Sequence, residues 1–153
     1  MGLVPYPFFY MITVFDYIQK VNKVKGDLPK QTERIVLKNK KRILDLNRET
    51  QLFDKGIDSD GKLLREYKPF TIAIKRQKGE VFNRTTLLDT GSFYKGFDLL
   101  VRNNVISIFS RDSKSADLVD KYGNIFGLIK ENEIIVNQDI VLPEIWEYLN
   151  RFL

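Results

Sequence analysis

Apolar residues near the start of the chain recur at helical spacing. Phe8, Ile12, Phe15, Ile18 and Val21 lie three or four positions apart, with Tyr10 and Tyr17 beside them. That period predicts a helix over roughly 8–22. Lys25-Gly26-Asp27 reads as a break, and Pro29 sits where a first helical turn tolerates a residue without an N–H. A second helix is expected from about 30 to 53. Its apolar stripe is Ile35, Val36, Ile43, Leu46 and Phe53, with Lys38, Lys40, Lys41 and Arg48 largely off it.

The pattern then changes to turn chemistry in "DKGIDSDGK". "KPFTIAIKRQKG" fits two readings: Phe70, Ile72 and Ile74 alternate as in a strand, while Thr71 could cap a short helix. "FDLLVRNNVISIF" is the clearest β signal, two runs of branched and aromatic residues about Asn103-Asn104. Asparagine tolerates the positive φ that a tight hairpin needs. "SKSADLVDKYGNIFGL" predicts a short helix stopped at Gly123, and "LPEIWEYLNRFL" an amphipathic helix starting near Pro143. The expected fold is α+β: long N-terminal helices on a small antiparallel sheet, hairpin near 97–110, with a C-terminal helix. At 153 residues the chain is expected to be one domain, helical over 1–53 and α+β over 54–153.

Composition narrows the chemistry. The chain has no cysteine and no histidine. A disulfide framework, a cysteine nucleophile and a Ser-His-Asp or Cys-His triad are therefore excluded within it, and an enzyme is not expected. Neither a cofactor nor a metal is implied. The 43 % hydrophobic and 29 % charged residues are those of an ordinary globular protein. The apolar N-terminus lacks a basic leader region, is interrupted by Pro5 and Pro7, and is too short to span a bilayer. Gly2 fails as a myristoylation site because Tyr6 stands where Ser or Thr is needed. The segment reads as a packing or assembly element of a protein made inside the cell, with no membrane partner.

Net charge is +5 and local: Lys20, Lys23, Lys25, Lys30, Arg34, Lys38, Lys40, Lys41, Arg42 and Arg48 face only Asp27, Glu33, Asp45 and Glu49. Such a face suits phosphate or an acidic partner, and equally a solvated helix. Lys38, Lys40, Lys41 and Arg42 are its candidate partner- or DNA-facing residues, which leaves a nucleic-acid-binding module using helix 30–50 as an alternative function.

Asp89-Thr90-Gly91 in "TTLLDTGSFYKGF" matches the local pattern of an aspartic protease, and a dimer could supply a second carboxylate. The surrounding helices and the lack of a glycine-rich flap favour a structural reading. Asp89 or Thr90 caps a short helix, Gly91 turns the backbone, and Phe93, Tyr94 and Phe97 face a core. "DSDG" at 58–61 fails as a calcium loop, because aligning it puts Gly56 at the first position and Tyr67 at the twelfth. No glycine-rich phosphate loop is present, so Gly123 and Gly127 are assigned to a helix end and a turn. Asn83-Arg84-Thr85 is a formal glycosylation sequon.

The ordered set of Gly56 and Gly61, then Tyr67, Thr71 and Lys75, then Leu88 to Phe93, then Tyr122 to Leu128 resembles tailed-phage virion-morphogenesis and tail-completion (neck, head–tail connector) proteins. It is most similar to the variants of phages and prophages of gut-type bacteria. The likeness covers about residues 47–130; the first 46 residues, with the basic helix, lie outside it. Phe93 leads into "YKGF" where the family often has Leu. The resemblance implies a non-catalytic virion subunit made in the host cytoplasm, forming a ring at the head–tail junction or tail. Its implied partners are further copies of itself, portal, adaptor and tail proteins, and genomic DNA in the lumen.

Overall fold

The structure, a computed structural model, describes residues 14–152. Helix α1 (Val14–Lys38) leads into α2 (Lys40–Asp45), which passes into a π-helical segment, π1 (Leu46–Lys55). Helices α3 (Pro69–Gln77) and α4 (Ser92–Lys95) precede the strands β1 (Phe97–Arg102) and β2 (Val105–Ser110). Helix α5 (Ser115–Tyr122) follows, then an unbroken run of α6 (Lys130–Ile135), π2 (Val136–Val141) and α7 (Leu142–Asn150). The fold is α+β, as expected: a long N-terminal helix, a two-stranded antiparallel sheet and a C-terminal helix.

The N-terminal helices differ from the expectation in their boundaries. Residues 8–13 of the expected first helix lie outside the described residues. No break occurs at Lys25-Gly26-Asp27: α1 runs through Gly26 and Pro29 to Lys38. An interior proline costs a helix about 3 kcal/mol because its ring removes one hydrogen bond and crowds the preceding turn. Packing outweighs that here. Helix α7 lies antiparallel along the second half of α1, with Glu144 against Lys38 and Asn39 and Tyr148 against Asp27. Thr32 also donates its hydroxyl to the Leu28 carbonyl at 2.9 Å. The helix expected over 30–53 is in fact interrupted at Asn39 (φ −97°, ψ 13°), whose side chain donates to the Ile35 carbonyl and to Glu144, both at 2.9 Å.

Between those readings, 69–77 is helix rather than strand, and Thr71 does not cap it. Pro69 occupies the first turn and Lys68 is extended (ψ 150°), the conformation favoured before proline. The hairpin is placed as predicted. Asn103 and Asn104 both take positive φ (51° and 60°), joining Arg102 to Val105 through the turn type whose twist matches the strands.

One apolar cluster joins the parts. Ile35 and Val36 of α1, Ile43 and Leu44 of α2 and Leu52 of π1 pack with Phe93, Phe97, Leu99, Ile125, Val136 and Ile140. In π1 the buried residues are Asn47, Gln51 and Leu52, and the C-terminal run buries Asn132, Val136 and Ile140. Spacings of four and five suit the wider π turn, whose backbone bonds reach one residue further than those of an α-helix. The first turns of this C-terminal run were not expected from sequence, where the first buried position of the run is the polar Asn132.

Candidate functional site

The Asp-Thr-Gly stretch forms one wall of a largely apolar cleft. Three elements meet there: α3 with Phe70, Ile74 and Lys75, the segment 87–93, and α5 with Leu118 and Tyr122. The cleft encloses about 470 Å³, within the range of sites that take a ligand or a side-chain cluster. Phe70 stands at its mouth, 77 % exposed. Lys78 and Lys114 lie at the rim with Asp89.

The wall is held under strain. Leu87 is buried and takes φ 58°, a left-handed conformation in which the Cβ of a bulky residue crowds the carbonyl oxygen. A cost of about 1–3 kcal/mol persists only where neighbours over-determine the backbone. They do so here. Tyr67 accepts the Thr86 N–H at 3.0 Å, Tyr94 donates to the Thr86 carbonyl, and Thr85 donates to the Arg65 carbonyl at 2.6 Å. Lys75, nearly buried, donates to the Leu88 carbonyl at 2.7 Å and pairs with Glu80 at 2.8 Å. Burial pushes the Tyr94 hydroxyl far above the ordinary tyrosine range, so it remains a donor at any working pH. Lys75 was picked out from sequence only as a member of the ordered motif set, and Leu87 and Phe70 not as site residues; an aromatic directly after Pro69 was the available signal for Phe70.

Within the turn itself the expected roles divide. Asp89 caps nothing: its carboxylate is exposed and lies 3.6 Å from the Lys114 ammonium. Helix α4 has Gly91 at its cap position without a side-chain cap, and the Thr90 hydroxyl accepts the Ser92 N–H at 3.4 Å. Gly91 takes φ 83° in open space, so glycine is needed there for backbone freedom and not for room. Phe93, Tyr94 and Phe97 point inward. Phe93 meets Phe97 edge-on at 5.1 Å, and both meet Phe126, at 5.9 and 5.4 Å.

Phe126 brings in the second motif. Tyr122 lines the cleft, Gly123 (φ 81°) ends α5, and Gly127 (φ 120°) turns the chain toward α6. That turn is fastened to π1 by buried amides. Asn47 donates to the Ile125 carbonyl at 3.2 Å and accepts the Gly127 N–H at 3.4 Å. Gln51 donates to the Gly127 carbonyl at 3.0 Å and accepts the Ile129 N–H at 2.9 Å and the Asn132 amide at 2.8 Å. Neither Asn47 nor Gln51 was picked out from sequence. Their signal was a four-residue spacing of polar amides following Ile43, on the side that should be apolar.

Four residues of the basic segment, Lys38, Lys40, Lys41 and Arg48, are paired within the fold. Lys38 pairs with Glu144 at 2.9 Å, Lys40 with Asp98, Lys41 with Asp45 at 2.8 Å, and Arg48 with Asp45 at 2.6 Å. Asp98 also takes Arg111, and the hydrogen bond from Lys40 holds its carboxyl below the ordinary carboxylate range. Glu144 is lowered in the same way by its bonds from Lys38 and Asn39. Burial raises Asp45, but the hydrogen bonds from Lys41 and Arg48 outweigh it and the net direction is down. Only Arg42 of the four candidate partner-facing residues has no carboxylate within salt-bridge distance among the described residues.

Asp58, the carboxylate of the failed calcium loop, accepts the N–H groups of Asp60 and Lys62 at 3.0 and 2.8 Å and so forms a turn. Among the described residues no group of three or more acidic side chains is placed to hold a metal ion, and no helix is long and apolar enough to cross a membrane. Comparison of the chain with family models, with curated proteins and with solved structures finds no match.

Proposed function

We propose that the chain is a structural subunit of a tailed-phage virion, assembling as a closed homomeric ring at the head–tail junction or in the tail. In that setting portal or adaptor and tail proteins are its neighbours, and genomic DNA passes through the lumen. The observation that carries this reading is the first half of α1. Tyr148 of α7 reaches Asp27, and of the residues of α1 before that contact all but Val24 are exposed. Along them Val14, Phe15, Tyr17, Ile18 and Val21 are 77, 67, 53, 49 and 42 % exposed. Isolated exposed apolar side chains are normal; a contiguous set on one face of a helix marks an interface. A ring supplies the missing cover by repetition of one contact. The motif resemblance over residues 47–130 supplies the identity of the ring.

The alternative, a nucleic-acid-binding module, loses most of the expected basic helix to internal ion pairs. It keeps Lys20, Lys23, Lys30 and Arg34, which share the other side of α1 and are all exposed. Negative-stain images of the purified protein, alone and with the portal, separate the two. Rings of many copies are expected. A monomer or dimer whose DNA affinity falls steeply with salt would replace the ring by the module.

A further inference from the structure

We infer that the apolar N-terminal segment, residues 1–13, of one copy docks in the cleft between α3, segment 87–93 and α5 of the next copy. This deepens the ring reading and rests on it. Three observations converge on that occupant. First, residues 1–13 lack any charged side chain and carry Leu3, Val4, Pro5, Tyr6, Pro7, Phe8, Phe9 and Tyr10, a composition that matches the cleft's apolar walls. Second, they join α1 at Val14, about 20 Å of helix before the Asp27 contact. Thirteen residues reach at most about 45 Å further when extended, far enough to meet a neighbouring subunit. Third, α1 packs against α7, π2, β1 and α2, whereas the cleft is walled by α3, 87–93 and α5. The elements that α1 contacts most are thus not those that wall the cleft.

The cleft is also built to keep its shape. Its wall is fixed by Tyr67, Tyr94 and Lys75 around the strained Leu87, so a docking segment finds it already formed. Lys75 is neutralised by Glu80, which leaves an apolar floor with no unpaired charge to desolvate. An uncharged aromatic segment fits such a floor; an acidic peptide would find its lysines only at the rim.

The test uses two full-length variants. The segment variant carries Phe8→Glu and Phe9→Glu. The cleft variant carries Phe70→Glu, a side chain exposed enough to change without disturbing the fold. A fluorescein-labelled peptide of residues 1–13 is titrated against the segment variant, whose cleft is intact. Saturable binding is expected, weakened at least tenfold when Phe70→Glu is added to the same chain. Each single variant should stay folded by circular dichroism and fail to form rings. Mixed together they should give a 1:1 complex and no larger species, since one offers only an intact segment and the other only an intact cleft. No peptide binding, or binding unchanged by Phe70→Glu, overturns the inference. If both variants form rings like the parent chain, the docking inference falls and the ring reading stands. If the peptide binds at the cleft while the parent chain never forms rings, the ring reading falls and the cleft remains a binding site for this sequence.

Discussion

At the scale of single residues, the Asp-Thr-Gly turn separates a position that matters by its side chain from one that matters by its backbone. Asp89 is exposed and meets only an exposed lysine at 3.6 Å. Such a pair contributes little in water, so Asp89→Asn should change stability by no more than about 0.5 kcal/mol. Gly91 has open space around it and φ 83°. Gly91→Ala should cost about 1–2 kcal/mol through the left-handed backbone alone. Urea denaturation of the two variants measures this contrast. An Asp89→Asn loss larger than that of Gly91→Ala would show that the carboxylate has a role its geometry does not reveal. The sequence made Gly91 legible, because glycine beside Asp and Thr is turn chemistry. It did not show that the cap position falls on Gly91, with neither Asp89 nor Thr90 capping α4, since that depends on where the fold starts the helix. Leu87 was illegible altogether: nothing in a run of Thr-Thr-Leu-Leu announces that one leucine takes positive φ.

At the scale of elements, the hairpin and α5 were readable because local chemistry decides them: two asparagines at a turn and a glycine after an amphipathic turn of helix. The N-terminal helices were less so. Gly26 and Pro29 signal a break locally, and the break is overridden by α7, which comes more than a hundred residues later in the chain. The same distance hid the amide lattice. Gln51 is fully buried and serves three partners on the 127–132 stretch. Gln51→Leu keeps the volume but strands the Gly127 carbonyl and the Ile129 N–H and leaves the Asn132 amide only its bond to the Leu46 carbonyl, and should cost about 2–4 kcal/mol. Chemical denaturation checks it, and a neutral result would mean that the lattice re-forms around leucine.

The basic segment was read from its sequence as one solvated or partner-facing patch, and its pairing splits it. Lys41 is highly exposed, whereas Lys40 bonds Asp98, whose side chain is only 12 % exposed. Lys41→Glu should leave the fold intact. Lys40→Glu sets two carboxylates together in a nearly closed site and should cost about 1–3 kcal/mol. The Asp98 carboxyl is lowered by Lys40, so its stabilisation is present above the unfolded value near pH 4 and is lost as pH falls through the lower folded value. Asp98→Asn, which cannot titrate, should therefore show a shallower loss of melting temperature below about pH 4 than the parent chain. Equal slopes would remove Asp98 from the acid response.

At the scale of the whole molecule, several members of the ordered motif set join parts of the fold. Gly56 passes so close to the Thr85 carbonyl that a Cβ would lie 3.0 Å from it, Tyr67 and Lys75 hold 86–88, and Gly127 is fastened to π1. None of this holds the first half of α1, whose apolar stripe is uncovered among the described residues. That division makes an assembly prediction specific. Replacing Phe15, Ile18 and Val21 together by Ser removes apolar surface that the described fold leaves 67, 49 and 42 % exposed. The monomer should therefore keep its circular dichroism spectrum and lose no more than about 0.5 kcal/mol per site, as for other exposed positions. On the proposed ring reading assembly should fail, because an interface loses roughly 25 cal/mol for every square ångström of apolar surface it no longer buries, at every repeat of the contact. Particle counts of joined heads and tails in a complementation assay, beside sedimentation of the purified variant, provide the measurement. Full virion yield from a folded triple variant would show that the stripe faces solvent, and the ring would then need a different surface.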